Sequence, residues 1–111
     1  MLDVKIMKKT LIVDDMKEVY EKLLEKIGQA DYSSNVMDAL KKIREGAYTE
    51  IITDYHLGEK SAKGGLEILK AASTRGIENI ILMSTENHEE EALKFGATKF
   101  VFKKDLIKNG R

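Results

Sequence analysis

Short apolar segments alternate with longer amphipathic segments along the whole chain. Residues 10–13, 50–53, 80–83 and 100–102 are apolar runs of strand length, and 31–34 is a weaker strand candidate. Apolar residues recur at helical spacing over 16–27 and in three later segments, which are followed by Gly46, Gly76 and Gly96. The pattern predicts five strands that alternate with helices.

Glycine and side-chain caps mark the ends of these helices. Glycine favours the left-handed backbone that ends many helices, so we expect it at Gly28, Gly46, Gly76 and Gly96. Ser34 or Asn35 is expected to cap the second helix. Asn87 is expected to cap the fourth helix, with Glu90 at the third helical position bonding back.

Strand–helix alternation with fully apolar strands predicts a parallel sheet covered by helices on both faces. The 111 residues contain no repeat or linker and match the size of one domain. We therefore expect a single doubly wound α/β domain over residues 1–111.

Composition narrows the function classes. Lys+Arg and Asp+Glu both number 19, and this neutral balance argues against direct nucleic-acid binding through bulk charge. No apolar run approaches the ~20 residues that span a bilayer, and the N-terminus lacks a signal peptide's apolar region, so no membrane association is expected. The chain has no cysteine, which fits the reducing cytoplasm where we expect the protein.

Reactive side chains follow the predicted strands at the sheet edge where open α/β folds bind ligands. The first strand is followed by Asp14 and Asp15, and the third by Asp54. Ser84 follows the fourth strand and Lys103 the fifth. Clustered carboxylates repel one another unless a hard cation such as Mg²⁺ binds them, and a carboxylate beside Mg²⁺ can act as a nucleophile toward phosphorus. Taken alone, Asp54 is also explained as a turn residue and Asp15 as a helix N-cap.

Taken in order, these segments resemble a response-regulator receiver domain, over about residues 7–108. The resemblance is carried by five motifs, namely LIVDD at 11–15, IITD at 51–54 with YHLG after it, GGLE at 64–67, ILMST at 81–85 and GATKFVFK at 96–103.

The resemblance implies a flavodoxin-like five-stranded sheet in the order 2-1-3-4-5 and a phosphoacceptor at Asp54. It implies that Asp15 binds Mg²⁺ directly and that Asp14 acts mainly through a water molecule. The backbone carbonyl of His56 would complete the ligand set, and the His56 side chain would tune the lifetime of the phosphoryl group.

Three further positions match the receiver pattern. Ser84 corresponds to the switch hydroxyl that contacts the phosphoryl group, and Phe100 to the aromatic residue whose rotamer follows the switch. Lys103 corresponds to the lysine that pairs with the phosphorylated aspartate. Thr85 and Glu86 are expected at the same entrance, where they add bulk and negative charge and so affect the phosphoryl lifetime.

The function implied is a phosphorylation-activated signalling switch of a two-component system, with no enzymatic activity beyond its own phosphorylation and dephosphorylation. The expected partners are a sensor histidine kinase or phosphotransfer protein, and a downstream protein that binds the face of the fourth helix and fifth strand. The sequence does not decide whether the protein also forms a homodimer. One alternative is a pseudo-receiver that binds partners without phosphorylation. Another is a Mg²⁺-dependent aspartyl-phosphate phosphohydrolase, which would require an Asp where His56 stands.

Three departures from the receiver pattern are visible. The loop over 58–64 is about three residues longer than expected. Lys104 stands where most receivers have a cis-proline, and we expect a trans bond there because a non-proline cis bond costs about 3 kcal/mol. Only residues 105–111 remain for a fifth helix, so we expect it to be short or missing. Either a minimal helix suffices, or another chain covers the exposed face of the sheet, or the sequence is a piece of a longer protein.

Overall fold

The computed structural model describes residues 8–58 and 63–107. Most of the loop over 58–64, and the ends of the expected 7–108 core, lie outside the described residues. Five strands and five helices alternate along the chain. They are β1 Thr10–Val13, α1 Lys17–Ile27, β2 Asp31–Ser33, α2 Val36–Glu45, β3 Glu50–Asp54, α3 Gly64–Thr74, β4 Asn79–Ser84, α4 Glu89–Lys94, β5 Lys99–Phe102 and α5 Lys103–Ile107.

The strands form one parallel sheet in the order β2-β1-β3-β4-β5. The predicted α/β fold and strand order are therefore confirmed. The order reverses next to β1, and the carboxyl ends of β1 and β3 lie side by side, with Val13 opposite Thr53. Open α/β sheets bind ligands at this kind of position.

Helices cover both faces of the sheet, as predicted. One face carries the larger core, in which Ala39 of α2, Leu69 of α3 and Ala92 of α4 pack against strand residues such as Ile51. The other face is covered by α1 and α5, with Leu23 buried against Ile12. Burying both faces explains why the strands are continuously apolar rather than alternating.

The expectation for the helix-ending glycines is confirmed at three positions and wrong at one. Gly28, Gly76 and Gly96 have positive φ angles of 85°, 76° and 109°. Gly46 instead has φ −97° and ψ 172°, an extended conformation. A Cβ at Gly46 would lie 2.7 Å from a ring carbon of Tyr48, so this position needs glycine for space and not for its backbone angle.

The predicted cap of the second helix is confirmed, and that of the fourth is wrong. Asn35 Oδ1 accepts a hydrogen bond from the Asp38 amide. The fourth helix begins later than predicted, with His88 at its N-cap, and Asn87 Oδ1 accepts a hydrogen bond from the Glu89 amide instead. An asparagine side chain readily accepts a hydrogen bond from the amide two residues later in the chain. At Asn87 this bond replaces the expected cap, and the helix begins at Glu89.

The last helix begins directly at the end of β5. Within the described residues α5 is five residues long, and it packs beside α1, where Lys26 Nζ donates a hydrogen bond to the Leu106 carbonyl oxygen at 2.6 Å. The bond between Lys103 and Lys104 is trans, as predicted. No helix within residues 8–58 and 63–107 combines the length and the apolar character that crossing a bilayer requires.

Candidate functional site

Three aspartates meet at the carboxyl ends of β1 and β3. Asp14 and Asp15 directly follow β1, and Asp54 is the last residue of β3. One ligand atom from each of the three carboxylates lies within 4.8 Å of the others. The structure therefore brings together the three carboxylates that sequence analysis placed at this edge.

The three carboxylates differ in exposure. Asp14 is completely buried and Asp54 is 7% exposed, whereas Asp15 is exposed. Asp14 Oδ1 accepts a hydrogen bond from the Met16 amide, and Asp54 Oδ1 accepts one from the Tyr55 amide. Met16, not Asp15, occupies the N-cap position of α1, so the alternative reading of Asp15 as a helix cap is wrong.

Lys103 places its ammonium group between the two buried carboxylates. Its Nζ lies 2.8 Å from Asp14 Oδ2 and 3.1 Å from Asp54 Oδ2. Lys103 starts α5 at the end of β5, and β4 lies between β5 and β3, so the side chain extends past one strand to reach Asp54. Lysine has the stem length for this position.

The charges of this cluster shift one another's pKa values. Burial raises the pKa of Asp54 to about 6, and the neighbouring charge of Asp14 adds to the rise. Burial also raises the pKa of Asp14, against the opposing effect of Lys103. Burial alone would lower the pKa of Lys103, but its bonds to Asp14 and Asp54 more than offset this and raise it. The site therefore has more buried negative charge than its one lysine balances.

The donor set fits a hard divalent cation. Asp14 Oδ2 is buried, and although it lies close to the Lys103 ammonium it receives no hydrogen bond of good geometry. Buried carboxylate oxygens are normally hydrogen-bonded or bound to a metal ion. An under-satisfied carboxylate oxygen within an all-oxygen donor set matches the ligand preference of Mg²⁺.

Ser84 and Phe100 lie on the two strands that follow β3 in the sheet, namely β4 and β5. Ser84 ends β4 and is 1% exposed, and its Oγ accepts a hydrogen bond from the Glu86 amide at 3.2 Å. Phe100 lies on β5 opposite Leu82, half-buried against the larger core, with its ring 5.2 Å from that of Phe102. Met83 lies opposite Asp54 on the adjacent strand, so Ser84 is one residue past the position that faces Asp54.

A shallow depression opens over the cluster. Its lining residues within the described chain are Asp15, Asp54, His56, Gly58, Thr85 and Lys103. His56 and Thr85 therefore lie where sequence analysis placed them. Glu86 is exposed outside this lining, with its carboxylate 3.8 Å from His88 Nε2.

Gly65 supports the site in a way that sequence analysis did not identify. It lies in the first turn of α3, and its amide donates a hydrogen bond to the Tyr55 carbonyl at 2.9 Å. A Cβ at Gly65 would lie 2.2 Å from the Asp54 carbonyl oxygen and 2.8 Å from Tyr55 Cα. Gly64 and Gly65 stand together at the start of α3, where glycine destabilises a helix. Such an unfavourable pair is the sequence feature that could have indicated a close approach of two backbone segments.

Tyr55 and His88 are a second feature that sequence analysis missed. The ring of Tyr55 stacks on that of His88 with centroids 3.6 Å apart and meets the ring of His56 edge-on at 4.8 Å, and the two imidazole centroids lie 6.2 Å apart. The contact depends on two loops that meet only in the folded chain, and no local sequence signal predicts it.

Comparison with known proteins supports the receiver fold. No family model matches the chain. Among solved structures, the response regulator TrrA from Thermotoga maritima, in complex with Mg²⁺ and BeF, is 27% identical, with a TM-score of 0.74, covering 86% of each chain. The receiver domain of Francisella response regulator 1452 is 22% identical, with a TM-score of 0.71, covering 91% of each chain.

A third similar structure is a longer protein. It is a response regulator from Burkholderia pseudomallei with a phosphorylated aspartic acid, a calcium ion and citrate, 20% identical, with a TM-score of 0.75 over 86% of this chain. The present chain spans 59% of that protein's length. In its fold and its strand order the chain has the structure of a response-regulator receiver domain, as its motifs indicated.

Proposed function

We propose that this chain is a phosphorylation-activated receiver whose phosphoacceptor is Asp54. The observation that carries the proposal is the position of the Lys103 ammonium, 3.1 Å from Asp54 and 2.8 Å from Asp14, beside a third carboxylate from Asp15. A purely structural ion pair would not need a third carboxylate within 4.8 Å of the two that Lys103 contacts. Accepting a metal ion and a phosphoryl group gives each of these charges a role.

Asp14, Asp15 and Asp54, with the backbone carbonyl of His56, are the proposed Mg²⁺ ligands. Of the two aspartates that follow β1, the exposed Asp15 is proposed to bind the ion directly, and the buried Asp14 is proposed to act mainly through a water molecule. The bound ion would neutralise negative charge on the phosphoryl oxygens. Asp54 lines the depression, so its carboxylate is accessible to a phosphodonor.

The proposed reaction is a phosphoryl transfer to the carboxylate of Asp54. A side-chain oxygen of Asp54 attacks the phosphorus of a phosphohistidine or of a small acyl phosphate. A P–O bond to Asp54 forms as the bond from phosphorus to the donor breaks, and the donor leaves with that electron pair. Lys103 keeps its proton throughout and balances the added negative charge.

Ser84 and Phe100 are proposed to carry the switch. Ser84 Oγ now accepts a hydrogen bond from the Glu86 amide, and a hydroxyl can instead donate to a phosphoryl oxygen. Turning Ser84 toward Asp54 would draw the end of β4 inward, and the half-buried Phe100 on the adjacent β5 could then repack. His56, Thr85 and Glu86 are proposed to set how quickly water removes the phosphoryl group.

The proposed partners are a sensor histidine kinase or phosphotransfer protein and a downstream protein that binds α4 and β5. The protein is proposed to work in the cytoplasm, as one domain over residues 1–111, and to catalyse only its own phosphorylation and dephosphorylation. A chain that binds partners without being phosphorylated would be a pseudo-receiver, and turnover of external phosphoesters would indicate a phosphohydrolase.

The test is to incubate the protein with Mg²⁺ and acetyl phosphate and to measure the intact mass. We expect a gain of one phosphoryl group in the wild type and none in Asp54→Asn. Asp105→Asn, which removes the same charge at an exposed position of α5, is the matched control and should gain the group. Amide shifts on adding Mg²⁺ with beryllofluoride should appear around Asp54, Ser84 and Phe100.

Two results would contradict the proposal. A wild type that neither gains the group nor binds beryllofluoride would indicate a pseudo-receiver. Rapid multiple turnover of a small phosphoester, lost in Asp54→Asn, would indicate a phosphohydrolase.

A further inference from the structure

Tyr55 is a junction between the phosphoacceptor strand and its neighbours. Its amide lies 2.9 Å from Asp54 Oδ1 and 3.0 Å from the Met83 carbonyl oxygen at the end of β4. Its own carbonyl accepts the hydrogen bond from Gly65 at the start of α3. The residue is 3% exposed, so its backbone is held firmly at the floor of the site.

The side chain of Tyr55 extends this junction to α4. Its ring stacks on the imidazole of His88, with centroids 3.6 Å apart and planes at 2°. Its hydroxyl donates a hydrogen bond to Glu91 Oε1 at 2.7 Å. One residue therefore touches the Asp54 carboxylate with its backbone and the first turn of α4 with its side chain.

Helix α4 has few other anchors. It is six residues long, its buried residue is Ala92, and its N-cap His88 makes no side-chain capping bond. Glu91 stands at the third helical position, and its carboxylate accepts the hydrogen bond from Tyr55. The same carboxylate lies 3.3 Å from His88 Nδ1 and 3.7 Å from Lys63 Nζ. With so little apolar burial, the position of α4 depends strongly on these polar contacts.

The switch proposed above would pull directly on this contact. Ser84 Oγ is bonded to the Glu86 amide, and the Glu86 carboxylate lies 3.8 Å from His88 Nε2. Moving Ser84 toward Asp54 therefore displaces the segment that carries His88. Three residues separate Ser84 from His88, so this displacement would change the position of His88 against the ring of Tyr55 and strain the Tyr55–Glu91 bond.

We propose that Tyr55 is a positioning residue that ties α4 to the phosphoacceptor strand in the unphosphorylated arrangement and so opposes the switch. The inference rests on the proposed function, because it assigns a regulatory role at the same site. A contact made in only one of two arrangements shifts their equilibrium toward that arrangement. Removing it should make the switched arrangement easier to reach.

The test is a titration with beryllofluoride in the presence of Mg²⁺, followed by amide shifts. Tyr55→Phe removes only the hydroxyl, and Glu91→Ala removes its acceptor. We expect each variant to bind the mimic about 5-fold more tightly, the order of effect of one ordinary hydrogen bond. Before the mimic is added, the amides of 89–94 should already lie closer to their bound positions.

Two further variants separate this contact from general effects. Glu90→Ala removes a neighbouring exposed charge from the same turn and should match the wild type in affinity. The double variant Tyr55→Phe/Glu91→Ala should gain no more than Glu91→Ala alone, since the Tyr55 hydroxyl has already lost its acceptor there.

Unchanged or weaker binding in both single variants would overturn the inference. If Tyr55→Phe fails to fold, Glu91→Ala decides alone, because its side chain is partly exposed. A wild type that does not bind the mimic refutes the proposed function, and this inference with it. If the wild type binds beryllofluoride with the same affinity as the variants, only this inference is refuted.

Discussion

Lys103 and Asp14 form an ion pair of 2.8 Å that links two distant parts of the sheet. Asp14 follows β1 and Lys103 follows β5, with β3 and β4 between them. Both residues are buried, so the contact is shielded from solvent and depends on the whole sheet being assembled. The same ammonium group also contacts Asp54, which makes Lys103 the cation that balances the buried carboxylates.

Lys103→Ala should therefore destabilise the metal-free protein. Removing one partner of a buried ion pair typically costs about 3 kcal/mol, because the remaining charge is left without compensation. The measurement is urea unfolding in a chelator and again in excess Mg²⁺, where a cation at the carboxylates should reduce the loss. Lys104→Ala, at the exposed neighbouring position, is the control, and an equal loss there would contradict the prediction.

The stability of the metal-free protein should fall as the pH rises from about 4 to about 6 through the contribution of Asp54. Burial, with the charge of Asp14, raises the pKa of Asp54 to about 6 in the folded state, from an ordinary value of 3.8. Between these values the folded protein binds more protons than the unfolded chain, so raising the pH favours unfolding. The contribution is about 3 kcal/mol.

Asp54→Asn removes this titration and should be more stable than the wild type at neutral pH in a chelator. Asp105→Asn should follow the wild-type pH profile. Urea unfolding across this pH range measures the difference. An Asp54→Asn profile parallel to that of the wild type would show that Asp54 does not titrate differently in the folded state.

Gly65→Ala should damage the site by displacing the start of α3. The new Cβ would lie 2.2 Å from the Asp54 carbonyl oxygen, and the backbone of β3 cannot yield as a flexible side chain does. We expect a loss of about 1–3 kcal/mol and a loss of beryllofluoride binding.

Gly28→Ala separates the site from general destabilisation. Gly28 has a φ of 85° and open space around its Cβ position, far from the aspartates. This variant should lose stability through backbone strain yet retain binding. Equal binding by Gly65→Ala and Gly28→Ala would contradict the assigned role of Gly65.

Thr85→Ala should shorten the lifetime of phosphorylated Asp54. Thr85 lines the depression together with Asp54 and His56, and a smaller side chain gives water more room to attack. The measurement is the decay of the phosphorylated mass after removal of the phosphodonor. Thr74→Ala, at an exposed position in α3, should not alter the decay, and a longer lifetime in Thr85→Ala would contradict the prediction.

The sequence predicted the elements that depend on local pattern. All five strands lie within a residue or two of their expected positions. Apolar runs such as those of β1 and β4 are distinctive because both faces of the sheet are buried, whereas the polar β2 was the weaker candidate. The grouping of Asp14, Asp15 and Asp54 was also predictable, since the carboxyl ends of parallel strands meet at one edge.

The incorrect predictions concern residues whose role depends on a neighbour. Gly46 was interpreted as a left-handed helix end, whereas the ring of Tyr48 is what excludes a side chain there. Asn87 was expected to cap α4, but its bond to the Glu89 amide moves the helix start onward. Each outcome was decided by a competing contact and not by the residue's own preference.

The sequence by itself determined the fold class, the order of elements and the chemical types gathered at one edge of the sheet. Only the tertiary structure decided that Asp14 is buried while Asp15 is exposed, that Lys103 lies between two carboxylates and that Tyr55 reaches Glu91. The physical reason is range. Hydrophobic periodicity and turn chemistry act over a few residues, whereas burial and ion pairing depend on groups that are brought together only when the strands and helices pack.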